Sequence, residues 1–166
     1  MSLILDGTAG VTFPSGSGTQ AAQSKVLQVV NATYSTLTST SSATYTDTNL
    51  SASITPLFST SKILVFVDMN GCSKVSSTNA TLGLILVRGS TTITNITTGA
   101  GYNNSTSPNY VGSVSTNYLD SPATTSATTY KIQIASDNAS STVRINDYGP
   151  SAGGSVSTIT LMEIAQ

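Results

Sequence analysis

Seven carboxylates, six cationic side chains and one thiol, with no histidine, are the ionisable groups that this 166-residue sequence offers beside its seven tyrosines and many Ser and Thr hydroxyls. The acids are Asp6, Asp47, Asp68, Asp120, Asp137, Asp147 and Glu163. Without an imidazole there is no side chain that ordinarily titrates near neutral pH, no Ser–His pair and no ordinary zinc site. The acids are scattered and most stand in turn-forming contexts, where an Asp bonds nearby backbone amides, so the sequence assigns them to turns. Asp137 and Asp147 flank a potential hairpin and could face each other as a carboxylate pair or as calcium ligands. No calcium-loop spacing accompanies them. Gly7-Thr-Ala-Gly10 lacks the lysine and the helix of a phosphate-binding loop. Cys72 has no second cysteine to pair with and reads as a small, partly buried side chain. No catalytic residue, metal site or cofactor is expected.

Recognition is the chemistry that remains. Tyr102 and Tyr110, with Asn103, Asn104 and Asn109 beside them, sit in the most turn-rich stretch of the chain, residues 97–110. Tyrosine supplies a flat apolar face and asparagine paired donors and acceptors, a combination suited to sugar or protein contact. The competing structural role is that these tyrosines pin the loop. Asn-X-Ser/Thr sequons such as Asn31-Ala-Thr33 and Asn79-Ala-Thr81 arise by chance in a chain of which about a third is Ser or Thr.

Composition narrows the classes further. Charged residues are only 8% of the chain and the net charge is −1, which removes the electrostatic basis for nucleic acid or anionic membrane binding. No window approaches the run of about 18 apolar residues that would span a bilayer. The short Leu3-Ile-Leu5 run is not the core of a signal peptide. Repeated Val/Ile/Leu segments argue against disorder.

These groups must be positioned by strands. Lys62–Met69 is apolar on both faces of an extended chain: Ile63, Val65, Val67 and Met69 on one side, Leu64 and Phe66 on the other. Such a strand needs cover on both faces, and no amphipathic helix is legible to provide the second. A second sheet or another copy of the protein must do so. Asn70-Gly71 reads as the turn that ends this strand. Ala80–Arg88 is the other strongly apolar run. It should form a hairpin with Thr91–Thr94, with Gly83 marking a bulge or a close backbone approach. Lys25–Tyr34, Leu50–Pro56, Val111–Leu119 and Val156–Ala165 read as further strands, the last placed mid-sheet. Ser35–Thr48 reads as an edge strand or long loop. Thr128–Ala135 puts Tyr130, Ile132 and Ile134 inward and turns at Asp137-Asn138 into Ser141–Ile145, a hairpin.

About eight strands at roughly ten-residue spacing without helices indicate an all-β fold, an antiparallel β-sandwich of jelly-roll type. Two regions are expected: an extended N-terminal arm, residues 1–24, and the sandwich domain, residues 25–166. The arm has two short apolar pieces, too small for a core of their own. Leu3, Ile4, Leu5, Val11 and Phe13 are therefore expected to dock on a neighbouring subunit or a larger assembly.

With these segments in hand, the sequence resembles small structural proteins of tailed bacteriophages, especially the fibre-like proteins common in aquatic phage genomes. Ser2-Leu-Ile-Leu-Asp-Gly-Thr-Ala-Gly-Val-Thr-Phe-Pro-Ser15, followed by Gly18-Thr-Gln20, looks like the short N-terminal segment of such fibres. Lys25–Val30, Ser61–Val65, Leu86–Ser90, Tyr118–Pro122 and Thr158–Ile164 carry the rest of the likeness. The resemblance implies a non-enzymatic virion protein assembled in the host cytoplasm. It further implies a homotrimer whose partners are itself and other virion proteins of capsid, tail or fibre. Host surface glycan would be a further contact, through Tyr102, Asn103, Asn104 and Tyr110. The chain lacks a long repetitive shaft, which leaves room for the alternative of capsid decoration. A depolymerising enzyme would need a carboxylate pair in a groove, and the sequence supplies no persuasive one.

Overall fold

The computed structural model describes residues 4–6, 10–12, 25–75, 79–139, 141–147, 149 and 154–166. Twelve strands are assigned among them and no helix: β1 Ile4–Asp6, β2 Gly10–Thr12, β3 Val26–Tyr34, β4 Thr38–Thr40, β5 Thr46–Ile54, β6 Lys62–Lys74, β7 Leu82–Arg88, β8 Thr91–Ala100, β9 Asn109–Asp120, β10 Thr128–Ser136, β11 Val143–Ile145 and β12 Ser157–Ile164. All pair antiparallel.

One sheet reads β5-β10-β7-β8. The other reads β3-β12-β6, with β9 on the far side of β6 and the short β11 and β4 continuing beyond β12 and β3. Eight of these strands have seven residues or more: β3, β5, β6, β7, β8, β9, β10 and β12. Numbered from first to eighth, they run first-eighth-third-sixth in one sheet and second-seventh-fourth-fifth in the other. Successive strands therefore alternate between layers until the fourth and fifth meet as a hairpin, which is the winding of a jelly roll. The sandwich expected from the sequence is present. The closing strand β12 lies mid-sheet between β3 and β6, as expected.

Period-two alternation places the core. Leu50, Ala52 and Ile54 of β5, Ile63, Val65, Val67 and Met69 of β6, Leu82, Leu84 and Leu86 of β7, and Ile132 and Ile134 of β10 meet Ile159 and Leu161 of β12 between the sheets. Each large aliphatic side chain removed from water contributes roughly 1.5–3 kcal/mol. Tyr130, also inward, buries its ring completely and needs a partner for its hydroxyl.

Several local expectations are corrected. Asn70-Gly71 does not end the central strand, because β6 runs on to Lys74 through a bulge between Met69 and Cys72. Gly71 takes a φ of +61° there, and the Asn146–Asp147 backbone closes over it through Asn146 N–H to the Asn70 carbonyl (2.8 Å) and Asp147 N–H to the Gly71 carbonyl (3.0 Å). The same dipeptide that makes a two-residue hairpin also makes a bulge when a distant segment, here the residues just after β11, supplies hydrogen bonds. Val143–Ile145 does not fold back on β10. Both sides of β10 are taken, by β5 and β7, so the segment crosses to the opposite sheet and pairs with β6 and β4. The long loop is shorter than expected, because β8 extends to Ala100 and β9 begins at Asn109. Thr38–Thr40 forms a short strand, and β5 already begins at Thr46.

Gly83 marks a bulge, as expected, and the group that comes close to it is a side chain rather than another backbone. The register shifts beside it, and a Cβ there would lie 2.7 Å from the Tyr45 hydroxyl. Near the N-terminus, β1 pairs with β2 through Ile4↔Thr12, Leu5↔Val11 and Asp6↔Gly10, while Leu3 and Phe13 lie outside the described residues.

Candidate functional site

The described carboxylates connect distant strands; the expectation that they mainly cap local turns is corrected by their partners. Asp47 accepts Lys131 Nζ at 2.9 Å and Gln133 Nε2 at 2.7 Å across the β5–β10 pair, and these donors hold its carboxyl below the usual range. Asp68 accepts Ser115 Oγ at 2.9 Å and Asn70 Nδ2 at 3.1 Å. Asp120, nearly buried, receives the Tyr130 hydroxyl at 2.6 Å and Arg88 Nη1 at 2.5 Å, so one carboxylate ties β9 of one sheet to β10 and β7 of the other. Burial pushes the Tyr130 phenol up, and the adjacent Asp120 charge pushes it the same way, which keeps the hydroxyl a donor. Asp137 and Asp147 do not face each other across a hairpin: Asp137 accepts Thr81 N–H at 2.5 Å, and Asp147 accepts Ser73 Oγ at 2.8 Å. Among the described residues no three His, Cys, Asp or Glu side chains gather to hold a metal ion. Cys72 is buried, and burial followed by the Asp68 charge pushes its thiol up to about 12, far from a reactive thiolate.

Glu163, fully buried at the end of β12, accepts Gln28 Nε2 at 2.5 Å, Leu57 N–H at 2.8 Å and Phe58 N–H at 3.4 Å. Burial opposes its charge. Hydrogen bonds from Gln28, Leu57 and Phe58, with the Ser61 hydroxyl close by but outside ordinary bonding limits, outweigh burial and hold the carboxyl below its usual 4.5. The loop it pins carries two apolar side chains into solvent, Leu57 at 59% exposure and Phe58 at 57%.

The tyrosines and asparagines singled out in the sequence stand on and beside one loop, closed by Asn109 Nδ2 donating to the Gly101 carbonyl at 3.1 Å, but do not share one recognition surface. Tyr102 is exposed and donates its hydroxyl to Asn79 Oδ1 at 3.0 Å. Asn103 Oδ1 and the Ser105 carbonyl receive the buried Lys74 ammonium, so Asn103 belongs to the structural support of its loop. Asn104 is exposed. Tyr110 is half exposed and walls an open depression of about 420 Å³ with Asn70, Cys72, Gly112, Ser113 and Asp147, which Tyr102 does not line.

A larger feature lies on the outer face of the β3-β12-β6-β9 sheet. Residues paired across an antiparallel ladder share a face. The register therefore sets Val29, Met162, Leu64 and Leu119 in one straight row across four strands, all pointing away from the core. Val29 is 54% exposed, Leu119 48%, and Phe66, in the neighbouring row Asn31-Thr160-Phe66-Asn117, 41%. Val26 and Ile164 extend the apolar surface at one end. Beside Phe66 runs a groove of about 310 Å³ walled by Asp68, Ser115, Asn117 and Thr158. A contiguous apolar patch rimmed by polar residues marks an interaction site. Sequence reading found Leu64 and Phe66 through the two-faced strand and placed Val29, Met162 and Leu119 in strands, but did not join them into one outward surface. Their outward alternation was the available signal, and only the strand register joins them.

No family model matches the chain, and no curated protein sequence does. Among solved structures, "Structure of infectious bursal disease virus Gt strain" matches over 99% of this chain and 47% of that one, with 13% identity and a TM-score of 0.44. The chain spans about half the length of that neighbour.

Proposed function

We propose that this chain is a non-enzymatic virion structural protein, a fibre- or spike-like homotrimer held on a bacteriophage particle by its N-terminal segment, residues 1–24. The observation that carries the reading is the apolar row Val29-Met162-Leu64-Leu119, uncovered on a single copy. A soluble sandwich ordinarily keeps its outer faces polar, and leaving such a row in water invites uncontrolled association. A body that is built into an assembly covers it. The arm fits the same role, since a pair of three-residue strands is unstable alone and gains stability by docking on something larger. The carboxylates are occupied in cross-strand bonds, which leaves the surface, rather than a reaction centre, as the working part. Tyr110 and Tyr102 are the aromatic faces open to a host surface glycan.

Capsid decoration is the second reading. The Leu57-Phe58 loop, held rigid by Glu163, gives a preformed apolar contact suited to clamping a neighbouring capsid subunit.

The test is location. Antibody-gold labelling or an electron-microscope map of purified particles should place the protein at the tail for a fibre or spike and at the head for decoration. Deleting residues 1–24 should remove it from the particle in both cases. Tyr102→Ala with Tyr110→Ala should lower host adsorption for the first reading alone. Absence from every particle preparation would end both.

A further inference from the structure

We infer that the outer face of the β3-β12-β6-β9 sheet is the seat of a second copy of this chain, applied face to face with its strands reversed. The inference rests on the reading above that the chain works as an assembly, and it names the surface and symmetry of one contact.

The order of side chains along β6 carries the argument. Its outward residues are Lys62, Leu64, Phe66 and Asp68: a cation, two apolar groups and an anion. Reversed, the order is its own complement. A two-fold axis crossing the strand at Val65 brings Lys62 of each copy to Asp68 of the other and Leu64 to Phe66. The remaining outward positions within β3, β12 and β9 carry no charge, since Asp120 and Glu163 turn inward. A face with one sign at each end and neutral ground between would repel a copy stacked with parallel strands and attract one stacked with reversed strands.

Relief and chemistry agree with this arrangement. Reversal sets the row Val29-Met162-Leu64-Leu119 of one copy against the Phe66 row and its groove in the other, and the exchange happens twice by symmetry. Two sheets packed this way stand about 10 Å apart with strands near alignment. Asp68 already accepts Ser115 and Asn70, yet a carboxylate has about four lone-pair sites, so it can still receive an ammonium. A partner of different sequence would give no reason for the face to be self-complementary.

The contact is two-fold and adds to any threefold grouping of the virion protein. Full-length chain in solution should therefore run as an even-numbered assembly, two copies or six, in sedimentation over a concentration series. Lys62→Asp and Asp68→Lys should each weaken association about tenfold or more, while the double exchange restores it, because reversing both charges recreates the complement. A carbodiimide should also join Lys62 of one copy to Asp68 of another in the unmodified protein. Six residues of strand hold the two about 20 Å apart within one chain, so such a link is intermolecular. This second measurement stands even if Asp68→Lys, which loses its bonds to Ser115 and Asn70, fails to fold. A trimer indifferent to both reversals, with no Lys62–Asp68 link, overturns the pairing and leaves the virion reading intact. A monomer at every concentration overturns the pairing and contradicts the homotrimer as well.

Discussion

Gly71→Ala is expected to lower the unfolding midpoint by about 10 °C, because among the described glycines its added methyl meets the closest backbone atoms. A Cβ at this position would stand 2.3 Å from the Asp147 carbonyl oxygen and 2.5 Å from its nitrogen, inside contact distance of two backbone atoms that cannot rotate away. The φ of +61° adds a left-handed penalty of roughly 1–2 kcal/mol for alanine. Forced overpacking commonly costs a further 1–3 kcal/mol. A total near 4 kcal/mol corresponds to about 10 °C in a domain of this size. The bulge is where β6, β11 and the Asn146–Asp147 segment join, so relaxing the clash means opening that junction. Gly99→Ala is the control. Its Cβ meets nothing within 4 Å, and its effect should stay within about 0.5 kcal/mol. Thermal unfolding by circular dichroism measures both, and equal midpoints for the two variants would contradict the bulge geometry.

Glu163→Gln should destabilise the protein by about 2 kcal/mol at neutral pH and flatten its acid sensitivity. The carboxylate accepts one side-chain and two backbone donors in a buried setting, and charge-assisted bonds contribute about 1.5–3 kcal/mol. An amide keeps one acceptor oxygen and turns an N–H₂ group toward donors. The sign for pH follows from the direction of the shift. The folded state holds the carboxyl below its usual 4.5, so its contribution is complete above that value and is lost as pH falls from there through the lower folded value. Wild-type unfolding midpoints should therefore drop between pH 6 and about pH 3 by more than those of the glutamine variant. Parallel pH profiles for the two proteins would mean that Glu163 does not hold the Leu57-Phe58 loop through its charge.

Much of the fold was legible because side-chain alternation survives at single-strand level. Ile63, Val65, Val67 and Met69 announced their common face, and Tyr130, Ile132 and Ile134 announced theirs. What alternation does not encode is which strand sits beside which. Ser141–Ile145 looked like the return arm of a hairpin on β10, and only the occupation of both β10 edges sends it across the sandwich. Asn70-Gly71 carried the signature of a turn, and the hydrogen bonds that make it a bulge come from residues 146–147, more than seventy positions away.

The surface was legible to a similar extent. Leu64 and Phe66 stood out as apolar groups on the wrong side of a core strand, a local property. Val29, Met162 and Leu119 become one row with Leu64 only through the ladder register, a property of the assembled sheet. Asn103 was grouped with its neighbours as a recognition residue, yet its partner is Lys74, brought near by the β6 extension that the sequence did not announce.

The central claim is that the outer sheet face is covered in the working molecule. Hydroxyl-radical footprinting of the protein at assembling concentration, read at Met162 and Phe66 with Tyr102 as the exposed reference, tests it most directly. The account expects both residues to be strongly protected there and to regain reactivity on dilution, while Tyr102 stays unchanged. Met162 and Phe66 reacting equally in dilute and concentrated protein would contradict it.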